Sequence, residues 1–219
     1  KDADVDLAVK SIIASRVINT GQVCNCAERV YVDKAIKETF MEKLVAGMKQ
    51  VKVGNPNEIA DLDMGPLIEA SALKSMEKKV ERAIQQGARL LCGGHRIGTK
   101  GYFFEPTVLD CVTQKMDIIQ ETFGPVLPVV EYSDINDAIA WANDCEYGLT
   151  SSVYTQNLDN AFKVMRSLKF GETYINRENF EAMQGFHAGW RKSGIGGADG
   201  KHGLEEYLQT QVVYLETKE

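Results

Sequence analysis

The alternation of strand and helix is clearest in residues 29–56, which read RVYVDKAIKETFMEKLVAGMKQVKVGNP. The first four residues include the β-branched and aromatic side chains typical of a strand. Apolar residues then recur at the spacing of an amphipathic helix, at Ile36, Phe40, Met41, Leu44, Val45 and Met48. The pattern stops at Gly54-Asn55-Pro56, a sequence typical of a turn. This stretch therefore predicts one strand followed by one helix.

The same alternation extends along the chain in both directions. Upstream, a helical period runs from Val5 to Ile13 and stops at Asn19-Thr20-Gly21. Downstream, the pattern predicts helices over residues 73–84, 138–142, 158–168 and 204–209. It predicts strands over residues 90–92, 126–132, 150–154 and 173–176. Repeated strand-helix order predicts an α/β domain with a largely parallel sheet flanked by helices.

Composition limits the class of protein. The 219 residues, 44% hydrophobic and 26% charged, are enough for one sizeable globular domain. A net charge of −6 argues against nucleic-acid binding, and no apolar run reaches the ~18 residues that span a bilayer. Five cysteines, an odd number, indicate a reduced protein and predict a cytoplasmic location. The three histidines are scattered and only one cysteine pair is close in sequence, so we expect no metal site.

Two residues stand out as candidates for chemistry. Cys24 lies in an irregular segment between a predicted helix and a strand, where free backbone N–H groups can lower a thiol pKa and bind an oxyanion. His187 lies in a glycine- and aromatic-rich loop. Taken alone, a cysteine is more often a buried small apolar residue and a single histidine a structural one. The residue pattern alone therefore leaves both roles open.

The C-terminal segment differs from the rest of the chain. Residues 210–215 read TQVVYL, a β-prone run with no following helix to cover it. A terminal strand of this kind needs a partner edge, either elsewhere in the sheet or on a second copy of the chain. We therefore divide the chain into a domain over residues 1–209 and an oligomerisation strand over residues 210–219.

Five motifs in order resemble the NAD(P)-dependent aldehyde dehydrogenase family across essentially the whole chain. They are Gly21-Gln22-Val23-Cys24, Glu121-Thr122-Phe123-Gly124-Pro125, Tyr147-Gly148-Leu149, the GETYIN segment at 171–176, and Lys192-Ser193-Gly194-Ile195-Gly196. The resemblance implies the family's catalytic domain, with a Rossmann-like, mostly parallel sheet flanked by helices and a C-terminal oligomerisation strand. Residues 21–32 and 174–187 most resemble the branch that oxidises lactaldehyde and glycolaldehyde.

The resemblance also implies a mechanism and a cofactor. The Cys24 thiolate would attack the aldehyde carbon, and the Cys24 backbone N–H would bind the resulting oxyanion. A hydride would pass to the nicotinamide of NAD, with NADP not excluded, and water would hydrolyse the thioester. By motif match, Glu121 would bind the nicotinamide ribose and Phe123 would pack beside that end of the cofactor.

Three polar residues depart from the usual family pattern. Many relatives line the aldehyde tunnel with aromatic side chains, whereas the matching positions here are Glu181 and His187, and Asn25 directly follows the nucleophile. A buried polar group without a partner costs ~1–3 kcal/mol. These residues therefore suggest a substrate that carries a hydroxyl group. The alternative, that they bond to one another or to water, stays open at this point.

Two elements of the family pattern are not found in this sequence. They are the general-base glutamate in an E-L-G-G-type turn and the cofactor half that precedes it. We therefore expect a catalytic-domain fragment that is inactive without its cofactor-binding domain, its required partner. We also expect a homo-oligomer, a dimer or tetramer. The alternatives are a stand-alone assembly module that acts through residues 212–215, and a slow thioester or ester hydrolase that uses Cys24.

Overall fold

The chain forms an α/β domain in a computed structural model that describes residues 1–178 and 180–218. Its helices are α1 (Val5–Val17), α2 (Lys37–Gln50), α3 (Ala70–Gln85), α4 (Ile135–Asn143), α5 (Leu158–Ser167) and α6 (Gly200–Glu205). Its strands are β1 (Val30–Asp33), β2 (Arg89–Cys92), β3 (Thr107–Val112), β4 (Val126–Tyr132), β5 (Thr150–Val153), β6 (Glu172–Ile175), β7 (His187–Ala188) and β8 (Gly197–Ala198). Over the described residues, no helix has both the length and the apolar character required to cross a bilayer.

The strands are mostly parallel, as predicted, but they divide among three sheets. The main sheet has the order β1-β4-β3-β2, in which β1 and β3 run parallel to β4 and β2 runs antiparallel to β3. Strands β5 and β6 form a separate parallel pair, and β7 and β8 an antiparallel one. The predicted α/β class is confirmed.

Helices cover both faces of the main sheet. On one face, Leu127 and Val129 of β4 pack with α1 and α2. On the other face, Val126 and Val130 of the same strand pack with α3. Because successive side chains of a strand point to opposite faces, one strand contributes to both apolar layers. Burial on both faces explains why β4 reads as a continuous apolar run and was predicted at its observed bounds.

Strand β3 was missed because its sequence, TVLDCV, contains a charged residue. Asp110 is 1% exposed within this buried strand. Its carboxylate pairs with Lys37 at 2.9 Å and with Arg89 at 2.6 Å, and these bonds hold its pKa below the usual value despite burial. A paired acid can occupy a strand that the apolar pattern does not reveal.

The last predicted helix was placed several residues too late. Helix α6 spans Gly200–Glu205 rather than residues 204–209. Gly203 packs directly on β8, because a Cβ at this position would lie 2.6 Å from the Ala198 carbonyl carbon. Close backbone approach, rather than apolar periodicity, therefore positions this helix.

The C-terminal segment is not a strand in the structure of the single chain. Residues 210–218 lie outside every helix and strand, and Val212, Val213, Tyr214 and Leu215 are each at least 66% exposed. A strand needs a partner edge to satisfy its backbone. The oligomerisation strand and the boundary at residue 209 stay predictions.

Candidate active site

A tight change of direction after α1 presents Cys24. Asn19, Thr20 and Gly21 all have left-handed backbone conformations, with φ of 45°, 60° and 71°. Residues 23–26 then form a turn closed by a hydrogen bond from the Cys26 N–H to the Val23 carbonyl, 3.1 Å long. The Cys24 side chain is exposed. Within the described part of the chain, the Cys24 backbone N–H has no hydrogen-bond acceptor, so it is available to bind an oxyanion.

The two neighbouring cysteines have different environments. Cys26 is only 7% exposed, and burial raises the pKa of its thiol, an effect that the nearby Arg16 guanidinium partly offsets. Because the thiolate is the nucleophilic form, Cys26 is poorly suited to attack a substrate. Cys26, rather than Cys24, is therefore the small, buried apolar residue of this segment.

Thiol alkylation should reflect this difference in exposure. With iodoacetamide, we expect the exposed Cys24 and Cys111 to be modified in the folded protein, and Cys26 to react only after unfolding. Peptide mapping by mass spectrometry over a time course measures the order. Labelling of Cys26 at the same rate as Cys24 would contradict this description of the turn.

A buried arginine connects the Cys24 segment to the Glu121 loop. Arg16 is 0% exposed and donates a 3.0 Å hydrogen bond to the Ala27 carbonyl. The same side chain donates to the carbonyls of Thr122 and Gly124. Burial lowers the pKa of Arg16 to about 10, so the guanidinium remains charged at neutral pH. One side chain therefore holds together two segments more than 90 residues apart in sequence.

The same two segments also touch directly at a glycine. A Cβ at Gly21 would lie 2.4 Å from the Gly124 carbonyl oxygen, closer than any side chain permits. Arg16 was not among the predicted site residues, although its position carried a signal. Arg16 continues the spacing of Ile12 and Ile13, so it is a charged residue on the apolar face of α1.

Glu121 and Phe123 point outward from their loop. Both side chains are exposed, Phe123 by 44%, whereas Thr122 between them is 1% exposed. Lys79 donates to the Glu121 backbone carbonyl, not to its carboxylate. An outward carboxylate can accept hydrogen bonds from two ribose hydroxyls, and an adjacent aromatic ring can pack on a planar cofactor. The loop therefore fits the nicotinamide end of a dinucleotide.

A cavity of about 500 Å³ lies beside these residues. Its lining includes Cys24, Asn25 and Glu121, together with side chains of β1 and β5. The predicted nucleophile and the predicted ribose-binding carboxylate therefore open onto the same space. Glu181 and His187 do not line this cavity.

The polar residues predicted to bind substrate form two hydrogen-bonded groups. Asn25 Nδ2 donates to Glu181 Oε2 at 3.0 Å, which brings together residues 156 positions apart. His187 Nδ1 lies 2.9 Å from Glu172 Oε1, and the Tyr174 hydroxyl donates to Glu172 Oε2. The alternative that these residues bond to one another is thus observed for Asn25 and Glu181. Sequence analysis missed Glu172 and Tyr174, although both lie in the GETYIN motif.

Comparison with known proteins identifies the family. Residues 1–213 match the family described as "Aldehyde dehydrogenase family". Lactaldehyde dehydrogenase of Escherichia coli strain K12 is 64% identical over 217 residues, which cover 99% of this chain and 45% of that protein. A crystal structure of the lactaldehyde dehydrogenase from E. coli matches with a TM-score of 0.96 and 64% identity, over 99% of this chain and 46% of that one.

More distant relatives point to the same family. The D-glyceraldehyde dehydrogenase (NADP(+)) of Picrophilus torridus is 37% identical over 99% of this chain and 44% of that protein. The NAD+ complex of an aldehyde dehydrogenase from Bacillus cereus matches with a TM-score of 0.94 and 33% identity, over 100% of this chain and 44% of that one. The chain spans less than half the length of these relatives. With its residues 1–213 matched, the chain belongs to the aldehyde dehydrogenase family of oxidoreductases.

Proposed function

We propose that the protein containing this chain oxidises a short hydroxyaldehyde, of the lactaldehyde or glycolaldehyde type, to the carboxylic acid. The observation that carries the proposal is the exposed Cys24 thiol, which shares one cavity with the outward carboxylate of Glu121. The 64% identity to a protein named lactaldehyde dehydrogenase supports the substrate class. We propose NAD as the cofactor, with NADP as the alternative, since the relatives include both an NAD+ complex of an aldehyde dehydrogenase and a D-glyceraldehyde dehydrogenase (NADP(+)).

Cys24 would carry the covalent chemistry. Its thiolate attacks the aldehyde carbon, an S–C bond forms, and the carbonyl oxygen becomes an oxyanion bound by the Cys24 backbone N–H. A nicotinamide cofactor, when bound, would supply the acceptor for the hydride of the former aldehyde, and a thioester would remain on Cys24. Attack by water then breaks the S–C bond, releases the acid and restores the thiolate.

Two further groups of residues would position the reactants. Glu121 and Phe123 would hold the ribose and the adjacent ring of the cofactor. Asn25, Glu181 and His187 would receive the substrate's hydroxyl group, with the Asn25–Glu181 hydrogen bond at 3.0 Å orienting both side chains. A site built to bond a hydroxyl discriminates against an aldehyde that lacks it, because its polar groups are then left unpaired.

Substrate selectivity tests this assignment in the complete protein. We expect Glu181→Leu to lower kcat/KM for lactaldehyde by about 10-fold, with a smaller effect on propanal, because only lactaldehyde can use the polar partner. Reduction of NAD+ followed at 340 nm gives both values, and a parallel series with NADP+ tests the cofactor preference.

Glu42→Leu is a matched control, since Glu42 is an exposed carboxylate on α2 and does not line the cavity that Cys24 and Glu121 share. It should leave the ratio of lactaldehyde to propanal unchanged. Equal losses on both aldehydes in Glu181→Leu would contradict the hydroxyl-binding role. An unaltered protein that oxidises neither aldehyde would contradict the proposed function itself.

Assembly and location are part of the same proposal. We propose a cytoplasmic homo-oligomer, a dimer or tetramer, in which residues 210–219 pair with a neighbouring subunit. The exposed Val212, Val213, Tyr214 and Leu215 support this assembly, because an apolar, β-prone segment gains stability by pairing. We also propose that the 219-residue chain alone does not turn over, because the E-L-G-G-type glutamate is not within it.

A further inference from the structure

Three side chains form a hydrogen-bonded series between β6 and β7. His187 Nδ1 lies 2.9 Å from one carboxylate oxygen of Glu172, and the Tyr174 hydroxyl bonds the other oxygen. The Glu172 and His187 side chains are 13% and 22% exposed. Neither Glu172 nor Tyr174 has a part in the chemistry described above, yet together they fix one ring nitrogen of a predicted substrate-binding residue.

The backbone holds this series rigidly. Glu172 and Tyr174 are two residues apart on β6, so their side chains lie on the same face of the strand. Gly171, just before β6, packs on β7, because a Cβ there would lie 1.5 Å from the Ala188 carbonyl oxygen. The distance between β6 and β7 is therefore set by backbone contact rather than by flexible side chains.

The direction of each hydrogen bond follows from chemistry. An ionised carboxylate only accepts, so the hydrogen between His187 and Glu172 must belong to Nδ1. Burial, followed by the bond to Glu172, raises the pKa of Tyr174 above its ordinary value, so its hydroxyl stays protonated and donates to the second oxygen. With both oxygens engaged, the Glu172 carboxylate cannot rotate away from the imidazole.

We propose that Glu172 is a positioning residue that holds neutral His187 in its Nδ1–H tautomer, so that Nε2 accepts the hydrogen of the substrate's hydroxyl group. The neutral imidazole has one donor and one acceptor, and fixing the donor at Nδ1 makes Nε2 the acceptor. Among residues 1–178 and 180–218, no other group is hydrogen-bonded to the His187 ring. This inference rests on the proposed function, because it takes His187 as a contact of a hydroxyaldehyde.

The Glu181 group lies close to this series. The charge of Glu181 contributes to the raised pKa of Tyr174, and Glu181 is bonded to Asn25, next to Cys24 in the chain. A hydroxyaldehyde bound at Cys24 would lie beside Asn25 and its carboxylate partner Glu181, and the proposed function adds the His187 imidazole as a second acceptor. The ligand class that satisfies both is an aldehyde whose hydroxyl donates a hydrogen bond.

The tautomer can be measured directly in the unaltered, complete protein. With 15N-labelled histidine and His187→Gln to assign the signal, we expect neutral His187 to show a protonated Nδ1 and a bare Nε2. A predominant Nε2–H form would overturn the proposal, whatever the catalytic activity. This result does not depend on the folding of any variant at Glu172 or on the identity of the substrate.

Kinetics of Glu172 variants give the second test. We expect Glu172→Ala to lower kcat/KM for lactaldehyde about 10-fold and to leave that for propanal within about twofold. Glu172→Gln keeps an oxygen that can accept from Nδ1–H and should retain most of the lactaldehyde preference. Tyr174→Phe keeps the His187–Glu172 bond and should change the tautomer signal little.

The outcomes separate this inference from the proposed function. Equal losses on lactaldehyde and propanal in Glu172→Ala would show a structural role and overturn the positioning role. If the unaltered protein oxidises both aldehydes without preferring lactaldehyde, the hydroxyaldehyde assignment fails, and the tautomer measurement still decides whether Glu172 fixes His187.

Discussion

Replacing Cys24 by alanine in the complete protein is expected to lower kcat for aldehyde oxidation by roughly 10⁴-fold or more. The variant loses the atom that forms the covalent bond to the substrate, so hydride transfer would have to occur from a hydrated aldehyde without a thiohemiacetal. The change is small and the residue is exposed, so folding should be unaffected. Steady-state reduction of NAD+ and the thermal midpoint together measure activity and fold.

Cys26→Ala is the matched control for this prediction. It removes a thiol two residues away, but one that is 7% exposed and whose pKa is raised by burial. We expect it to lower stability modestly and to retain most of the turnover, since burial and a raised pKa keep the Cys26 thiol unreactive although it also lines the cavity. If Cys24→Ala kept substantial turnover, or if Cys26→Ala lost as much as Cys24→Ala, the assignment of the nucleophile would be wrong.

Alkylation reports which thiols are exposed, whereas turnover reports which thiol takes part in the reaction. Exposure alone does not distinguish Cys24 from Cys111, which is also exposed but lies on β3. The difference is the environment: over the described residues the Cys24 backbone N–H has no acceptor, and Cys24 opens onto the cavity that Glu121 also lines. Cys111→Ala should therefore leave turnover unchanged even though its thiol is accessible.

The sequence predicted the parts of this molecule that depend on local pattern. Apolar periodicity located α1 and α2, because their core-facing residues recur at regular intervals, and a continuous apolar run located β4. Motif resemblance selected Cys24 and Glu121, and the structure places both on one cavity.

Interactions between distant segments could not be predicted in the same way. The bonds from Arg16 to Thr122 and Gly124 join residues more than 100 positions apart, and nothing in the local sequence names the acceptors, because they are backbone carbonyls. Glu172 was missed for a related reason. Its partner His187 is on another strand, so only the fold reveals that the two side chains meet.

Arg16 is the residue whose loss should damage the structure most. Replacement by methionine retains much of the apolar volume but removes the donors to the carbonyls of Ala27, Thr122 and Gly124. The Thr122 and Gly124 carbonyls still accept from the Gly124 and Val126 N–H groups, so each loses one of two partners. Over the described residues the Ala27 carbonyl loses its one donor, and a buried carbonyl without a partner costs ~1–3 kcal/mol. Relief from burying a charge offsets part of the loss. We expect the free energy of unfolding to fall by roughly 2–3 kcal/mol.

Urea unfolding followed by circular dichroism measures this change, with Arg82→Met as the matched control. Arg82 is also a helical arginine, but its side chain is 64% exposed and its partner Asp117 is 52% exposed. Water can replace that pair, so the control should shift the midpoint little.

Because Arg16 joins the Cys24 segment to the Glu121 loop, we expect Arg16→Lys, which keeps the charge but cannot reach all three carbonyls, to lose turnover while remaining folded. An Arg16→Met protein as stable as the control would show that contact at Gly21 alone holds the two segments together.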